Sequence, residues 1–272
     1  MDNNLKDILK LAKELTLSND IDIILQAAKK ISEYNNNQNS KYKVENIIPD
    51  LYRLDIVTGQ PVKCELSSDQ EISLNNILTS STSNLIISPR QCGKTTLLQY
   101  SVLLKCYNEP NITILITCRR LLESKEIINN IKFLHSMNIN HHRSISIISH
   151  TDDKIVFSNG ARIVSRACTE NSARGLAVNY VFIDEACFLS YSQLDAFIRG
   201  AMSQLATVKG GKFVIFSTPH PGDGPIYEIY CNPEKYGFTL DKWKPKEKIP
   251  EIYKHYPKDR YENEFLGEFN TP

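Results

Sequence analysis

One stretch constrains this chain more than any other. The apolar run Leu85-Ile86-Ile87 passes directly into Ser88-Pro89-Arg90-Gln91-Cys92-Gly93-Lys94-Thr95-Thr96, and a helix-compatible segment comes next. A strand, a loop closed by Gly-Lys-Thr and a helix together point backbone N–H groups and a helix N-terminus at one spot, which suits an anion. Gly93 lets the backbone approach phosphates without a Cβ clash. Lys94 can reach β- and γ-phosphates, and Thr95 can ligate Mg²⁺. The stretch matches the second half of G-x-x-x-x-G-K-[ST], with Ser88 where the first glycine usually lies. Residues 88–96 are therefore expected to bind ATP with Mg²⁺.

A second segment supplies the acids that such a site needs. Tyr180-Val181-Phe182-Ile183 is an apolar strand that emerges at Asp184-Glu185. A buried strand delivers the residues at its C-terminal end to the ligand crevice. Asp184 is expected to hold Mg²⁺, usually through a water, and Glu185 to polarise the water that attacks the γ-phosphate. A third strand over residues 213–216 ends in Ser217-Thr218-Pro219. It is expected between the other two, where Ser217 or Thr218 can sense the γ-phosphate or its water. Gln70, on a helix expected over residues 69–78, carries an amide with the donor and acceptor needed to read an adenine edge.

Around these segments the chain alternates strands with helices. Strands are expected at 85–88, 112–117, 145–148, 154–157, 161–165, 180–183 and 213–216. Helices are expected at 95–105 and 121–137. Ser158-Asn159-Gly160 is a turn signal for a hairpin. Alternation of this kind implies an α/β fold with a mainly parallel sheet covered by helices on both faces. With a catalytic glutamate and an inserted third strand, it is the ASCE type of P-loop NTPase. Three parts are expected: a helical N-terminal segment and linker at 1–45, the P-loop core at 46–219, and a lid or linker segment at 220–272. Within the first part, Leu5, Ile8, Leu9 and Ala12 fall on one helical face, as do Ile21, Ile24, Leu25 and Ala28.

Composition sets outer bounds. The 272 residues allow one large α/β domain with a small appendage, and the net charge of +1 excludes a uniformly basic nucleic-acid coat. Seven scattered cysteines with no C-x-x-C pair argue against a disulfide framework or zinc site and for a reducing compartment. No apolar run approaches a membrane span, and the N-terminus lacks a signal-peptide pattern. The expected location is the cytoplasm or nucleus, including that of a virus-infected cell.

Together these residues resemble the ATPase domain of the terminase large subunit, the DNA-packaging motor of tailed bacteriophages and herpesviruses. The resemblance rests on the R-Q-x-G-K-T-T form of residues 90–96, on Ser172-Ala173-Arg174-Gly175 before Val181-Phe182-Ile183-Asp184-Glu185-Ala186, on Phe216-Ser217-Thr218-Pro219, and on Glu264-Phe265-Leu266-Gly267-Glu268-Phe269. It covers residues 66–269. It implies an ATP hydrolase that moves duplex DNA into a preformed capsid, assembled as a homo-oligomeric ring and acting with a portal protein and a small terminase subunit. By position it implies that Arg90 stabilises charge on the transferred phosphoryl, that Gln70 binds adenine, and that Ser217 and Thr218 couple hydrolysis to movement. Full-length members carry a nuclease domain after the ATPase. The segment resembling the ATPase terminus here runs to the end of the sequence, so the nuclease is expected on a separate domain or chain, with no DNA cleavage by this polypeptide.

Candidate DNA contacts are Arg119 and Arg120, the group His141, His142 and Arg143, and Arg162 and Arg166 on the hairpin. His141 and His142 have no evident third partner for a metal. Arg174 is a candidate for contact with nucleotide or with a neighbouring subunit, and both assignments stand. Two other readings of the motif set stay open: a helicase-like DNA- or RNA-dependent ATPase, and a nucleotide-binding structural or switch subunit without turnover.

Overall fold

The computed structural model describes residues 52–54, 61–138, 145–169, 171–172, 175–220, 224–246, 249, 251 and 255–270. The expected N-terminal helices of residues 1–45 lie outside them, as do His141, His142, Arg143 and Arg174.

The core is an eight-stranded sheet. In chain order its strands are β3 (Ser83–Ile87), β4 (Thr113–Cys118), β5 (Ile147–His150), β6 (Lys154–Phe157), β7 (Arg162–Ala167), β8 (Tyr180–Ile183), β9 (Lys212–Ser217) and β10 (Phe238–Lys242). Their spatial order is β10-β3-β9-β8-β4-β7-β6-β5. The strands from β10 to β7 run parallel, and β6 and β5 are antiparallel additions at one edge. The expected turn at Ser158-Asn159-Gly160 does join β6 to β7, with Gly160 at φ 83° and its N–H donating to the Phe157 carbonyl. A separate antiparallel ribbon pairs β1 (Tyr52–Leu54) with β2 (Pro61–Lys63).

Two helical layers cover the sheet. α1 (Ser68–Thr79), α2 (Lys94–Asn108) and α3 (Leu121–Asn138) pack on one face, and α4 (Tyr191–Leu205) and α5 (Pro225–Cys231) on the other. The two-residue period of a strand divides the apolar side chains between them. Leu85, Ile87, Val181, Ile183, Phe213 and Ile215 join Leu194, Phe197, Ile198, Ala201 and Met202 of α4. Ile86, Tyr180, Phe182, Val214 and Phe216 join Leu97, Leu98, Ile128 and Ile131 of α2 and α3. Strands buried on both faces explain the unbroken apolar runs of β3, β8 and β9. Truncating a fully buried aromatic such as Phe182 costs roughly 3–5 kcal/mol in such a core.

Two elements differ from the sequence expectations. β10 lies within the tail expected to be a lid or linker, yet it pairs in parallel with β3 from Phe238–Ser83 to Lys242–Ile87. The tail thus forms the outer edge of the sheet beside the phosphate-loop strand. α4 is absent from the expected helices. A short helix, α6 (Lys258–Tyr261), continues as a wider-turn segment at Glu262–Leu266 and ends at Gly267, which adopts the left-handed conformation at φ 71°. That segment returns to the loop after β3.

Candidate active site

The strand order explains where the site forms. β9 lies between β3 and β8, so the C-terminal ends of all three open side by side. β3 delivers Ser88 and the loop, β8 delivers Asp184 and Glu185, and β9 delivers Ser217 and Thr218. The Ser88 N–H donates to the Ser217 carbonyl at 3.1 Å, which continues the β3–β9 ladder one step into the loop.

The loop ends at Gly93, the residue before α2. Its φ of 83° is left-handed, so the backbone conformation favours glycine, and an added Cβ would lie 2.6 Å from Gln70 Nε2 and push that amide aside. Gly93 provides no side-chain cap, and the first turn of α2 carries no acidic residue. An uncapped helix start with no acidic residue of its own is suited to take an anion.

Lys94 is buried, and its Nζ donates to the Pro89 carbonyl at 3.1 Å and to Thr218 Oγ1 at 2.7 Å. The same Nζ lies 3.6 Å from Glu185 Oε1. Thr95 Oγ1 donates to Asp184 Oδ2 at 2.8 Å. The Thr218 N–H donates to Glu185 Oε2 at 3.2 Å, and the Glu185 N–H to Asp184 Oδ1 at 3.1 Å. Ser217 Oγ accepts the Cys187 N–H at 2.9 Å and donates to the Thr218 carbonyl, which ties β9 to the turn after Glu185. Thus Lys94 and Glu185, far apart in sequence, meet at Thr218.

Asp184 is buried, and its carboxyl is pushed up from 3.8 to about 6. Burial is the main cause and the neighbouring Glu185 adds to it; the Thr95 hydroxyl and the Lys94 ammonium act in the opposite sense. Glu185 sits in the left-handed region at φ 53°. Non-glycine residues are uncommon there, and in this conformation the Glu185 carboxylate meets Lys94 and Thr218.

This donor set fits a magnesium-bound triphosphate. The uncapped start of α2 and the Lys94 ammonium supply positive character for phosphate oxygens. Thr95 and Asp184 place a hydroxyl and a buried carboxylate side by side, the oxygen ligands a hard divalent cation takes. A cavity of about 220 Å³ beside them is lined by Thr95, Asp184, Glu185, Cys118, Glu123 and Asn130, among others.

Other expected site residues take less direct positions. Gln91 is exposed with φ 59°, and Cys92 and Thr96 are half-buried. Gln70 has both amide atoms engaged. Its Oε1 accepts the Ser67 N–H at 2.9 Å within a helix capping box, and its Nε2 donates to the Cys92 carbonyl at 2.9 Å. The amide expected at an adenine edge therefore also braces the phosphate loop, while its second N–H and a second lone pair leave it able to meet a base edge. The Arg90 guanidinium is half-exposed and lies 3.5 Å, through Nε, from Glu264 Oε2. The Arg90 N–H donates to the Glu264 carbonyl at 2.7 Å. Sequence reasoning assigns Glu264 and Gly267 no site role, although Phe-Leu-Gly reads as a helix end. Nothing in sequence alone places that helix end against residues 89–90.

Among the candidate DNA contacts, Arg119 and Arg120 are exposed just beyond β4. Arg119 helps line a cavity of about 810 Å³ together with Cys187, Phe188, His220 and Tyr227. Arg162 and Arg166 have internal partners: Arg162 Nε donates to Thr113 Oγ1 and Arg166 Nη1 to the Ser172 carbonyl.

A strand-loop-helix start, an acid pair at the end of a second strand and a hydroxyl-bearing strand between them define a P-loop NTPase of the ASCE type. The family model for the terminase large subunit, T4likevirus-type, N-terminal region, matches residues 85–271, and the chain belongs to that family. Comparison with curated proteins finds no significant match. Among solved structures, the large terminase of a thermophilic bacteriophage superposes with a TM-score of 0.60 at 16% identity, over 75% of this chain and 54% of that one. The large terminase ATPase domain of Thermus phage P74-26 gives 0.60 at 14% identity, over 76% and 94%. The bacteriophage HK97 large terminase gives 0.57 at 16% identity, over 71% and 42%. The match spans about half the length of the thermophilic-phage protein. Among the described residues no helix is long and apolar enough to cross a membrane.

Proposed function

We propose that this chain is the ATPase motor of viral DNA packaging, hydrolysing ATP to drive duplex DNA into a preformed capsid. The observation that carries the reading is convergence: Lys94, Thr95, Asp184, Glu185 and Thr218, spread over more than a hundred positions, form one connected set of contacts at the ends of β3, β8 and β9. The thermophilic-phage large terminase was solved with ADP and with ATP-γ-S, which supports nucleotide binding by this fold.

In this proposal the α2 N-terminus and Lys94 hold the phosphates, and Thr95 and Asp184 hold Mg²⁺. Bound magnesium would offset charge on the β- and γ-phosphate oxygens. Glu185 orients the attacking water and draws on its proton. Lys94 and Arg90 stabilise the charge that develops on the γ-phosphoryl group. Thr218 touches both Lys94 and Glu185, so it registers whether the γ-phosphate is bound. Ser217 passes that change to the turn at Cys187. The resulting shift between two arrangements moves a DNA-gripping surface in a ring assembled with the portal protein and the small terminase subunit.

The test is ATPase activity with and without duplex DNA, for wild type and Glu185→Gln. Glu185→Gln should keep ATP affinity and lose turnover by at least about a hundredfold. Undiminished turnover would remove Glu185 from the mechanism. Lys94→Ala should weaken ATP binding, and intact binding would defeat the phosphate-loop assignment. DNA-stimulated turnover with no strand separation separates the motor from a helicase. Bound nucleotide that is never hydrolysed, even with DNA present, would support a switch subunit instead.

A further inference from the structure

The arginines at the ends of the strands fall into two kinds. Arg162 and Arg166 of β7 are engaged within the molecule, on Thr113 Oγ1 and the Ser172 carbonyl. Arg119 and Arg120, the two residues after β4, are exposed, and neither guanidinium has a hydrogen bond or ion pair among the described residues. Arg120 is held through its main chain, whose N–H donates to Glu123 Oε2 at 3.3 Å.

Of this pair, Arg119 stands where an occupant would be felt by the site. β4 is the neighbour of β8, with Thr117 paired to Ile183. Arg119 lies two residues beyond that pair on one strand, and Glu185 two residues beyond it on the other. Arg119 also lines the cavity of about 810 Å³ with Cys187, Phe188 and His220. These three belong to the segments that leave the catalytic and coupling residues. The Cys187 N–H donates to Ser217 Oγ at 2.9 Å. The Phe188 ring meets the His220 ring edge-on, with centroids 4.9 Å apart. His220 follows Thr218 by two positions. One wall of the cavity is therefore built from the turn after Glu185 and the end of β9.

The chemistry of the occupant follows from the guanidinium. Its flat fork of donors matches the oxygens of a phosphate group. The one acid in the cavity lining, Glu228, has a partner of its own. A phosphate contact carries no base preference, which suits a protein that tracks duplex of any sequence.

We propose that Arg119 seats a backbone phosphate of duplex DNA, and that through this contact DNA accelerates hydrolysis. This rests on the motor reading above and assigns it a point of contact. The seated phosphate bears on the turn that Ser217 holds, so DNA and nucleotide act on one short segment, residues 185–188.

Two measurements on the full chain test this: anisotropy of a labelled duplex from about 50 to about 200 mM salt, and ATP turnover with and without that duplex. Arg119→Ala should weaken duplex binding roughly threefold to tenfold at low salt. It should also make the slope of log affinity against log salt shallower by about 0.9, the share of one phosphate. Arg119→Lys keeps the charge and should restore most of the binding. Lys209→Ala removes an exposed cation ahead of β9, at the opposite end of the parallel strands, and should leave affinity and slope unchanged. For Arg119→Ala, turnover without DNA should stay within about twofold of wild type, while stimulation by saturating duplex falls at least about threefold. A slope as steep as wild type, an equal change from Lys209→Ala, or full stimulation at saturating duplex overturns the proposal. A changed oligomeric state of Arg119→Ala in sedimentation overturns it too, because the cavity would then be a contact between copies of this chain. A wild-type chain that binds the duplex with the expected slope yet turns over no ATP would leave the phosphate contact standing and fail the ATPase reading instead.

Discussion

At the scale of single residues, the site sets fold stability against chemistry. Asp184 is buried with a carboxyl raised to about 6, and Glu185 occupies an uncommon backbone conformation. The sign of the Asp184 effect comes from linkage. A folded-state value above the unfolded 3.8 means that the protonated form favours the fold below that value, and this contribution is lost as pH rises through about 6. The loss amounts to about 3 kcal/mol when complete. Asp184→Asn, which stays neutral, should therefore raise resistance to urea at pH 7 and lose that advantage near pH 3.5. Equal unfolding midpoints at pH 7 would show that the buried charge is compensated. The same variant should lose Mg²⁺-dependent turnover. Thr218→Val keeps the shape of the side chain but removes one of the two hydrogen-bond acceptors of the buried Lys94 ammonium, leaving the Pro89 carbonyl. Losing a hydrogen bond to a charged group of that kind costs about 1–3 kcal/mol. Turnover should fall about tenfold or more in a coupled assay of phosphate release.

At the scale of elements, most of the site is legible in the sequence because its residues stand at strand ends. Apolar runs buried on both faces give a strong signal, and the residues just beyond them must lie at the crevice. Asp184, Glu185 and Thr218 can be named on that ground, and Lys94 and Thr95 from the Gly-Lys-Thr pattern that closes the loop. α4 also carries a readable signal: Ser190 and Gln193 form a capping box, and Leu194, Phe197, Ile198, Ala201 and Leu205 repeat at helical spacing. β10 carries little. Phe-Thr-Leu-Asp-Lys is a half-polar edge strand, and its partner β3 lies some 150 positions upstream. Gln70 is ambiguous because a capping-box glutamine and a base-reading glutamine look alike in sequence. Here α1 is a strut between loop and sheet. Its first turn braces Cys92, while the buried Lys105 and Lys212 ammonium groups take the Ile77, Leu78 and Ser80 carbonyls at its far end. Gln70→Ala removes both the cap and the brace. It should lower stability by about 1 kcal/mol, read as a shift in the urea midpoint. In nucleotide titrations a brace alone should weaken ATP and GTP binding by similar factors; a loss confined to ATP would support the expected adenine contact of Gln70.

At the scale of the whole molecule, the chain closes on itself around the phosphate loop. Trp243, just past β10, donates its N–H to the Ile87 carbonyl and its indole N–H to Ser73 of α1. Lys244 donates its N–H to Asp69. The residues after α6 then return to Pro89 and Arg90. The loop is thus enclosed by α1 on one side and the tail on the other, and a change in the loop has two rigid neighbours to push.

The outermost position of β10 has a practical corollary. It shields the hydrogen-bonding flank of β3, the strand that carries the nucleotide loop. A shortened chain stopped after Pro219 would lay that flank bare, an invitation to intermolecular strand pairing. Such a fragment should sediment as aggregates while one that retains Trp243 stays monodisperse, so anyone trimming this protein must cut beyond the last strand, not at the Ser-Thr-Pro end of β9.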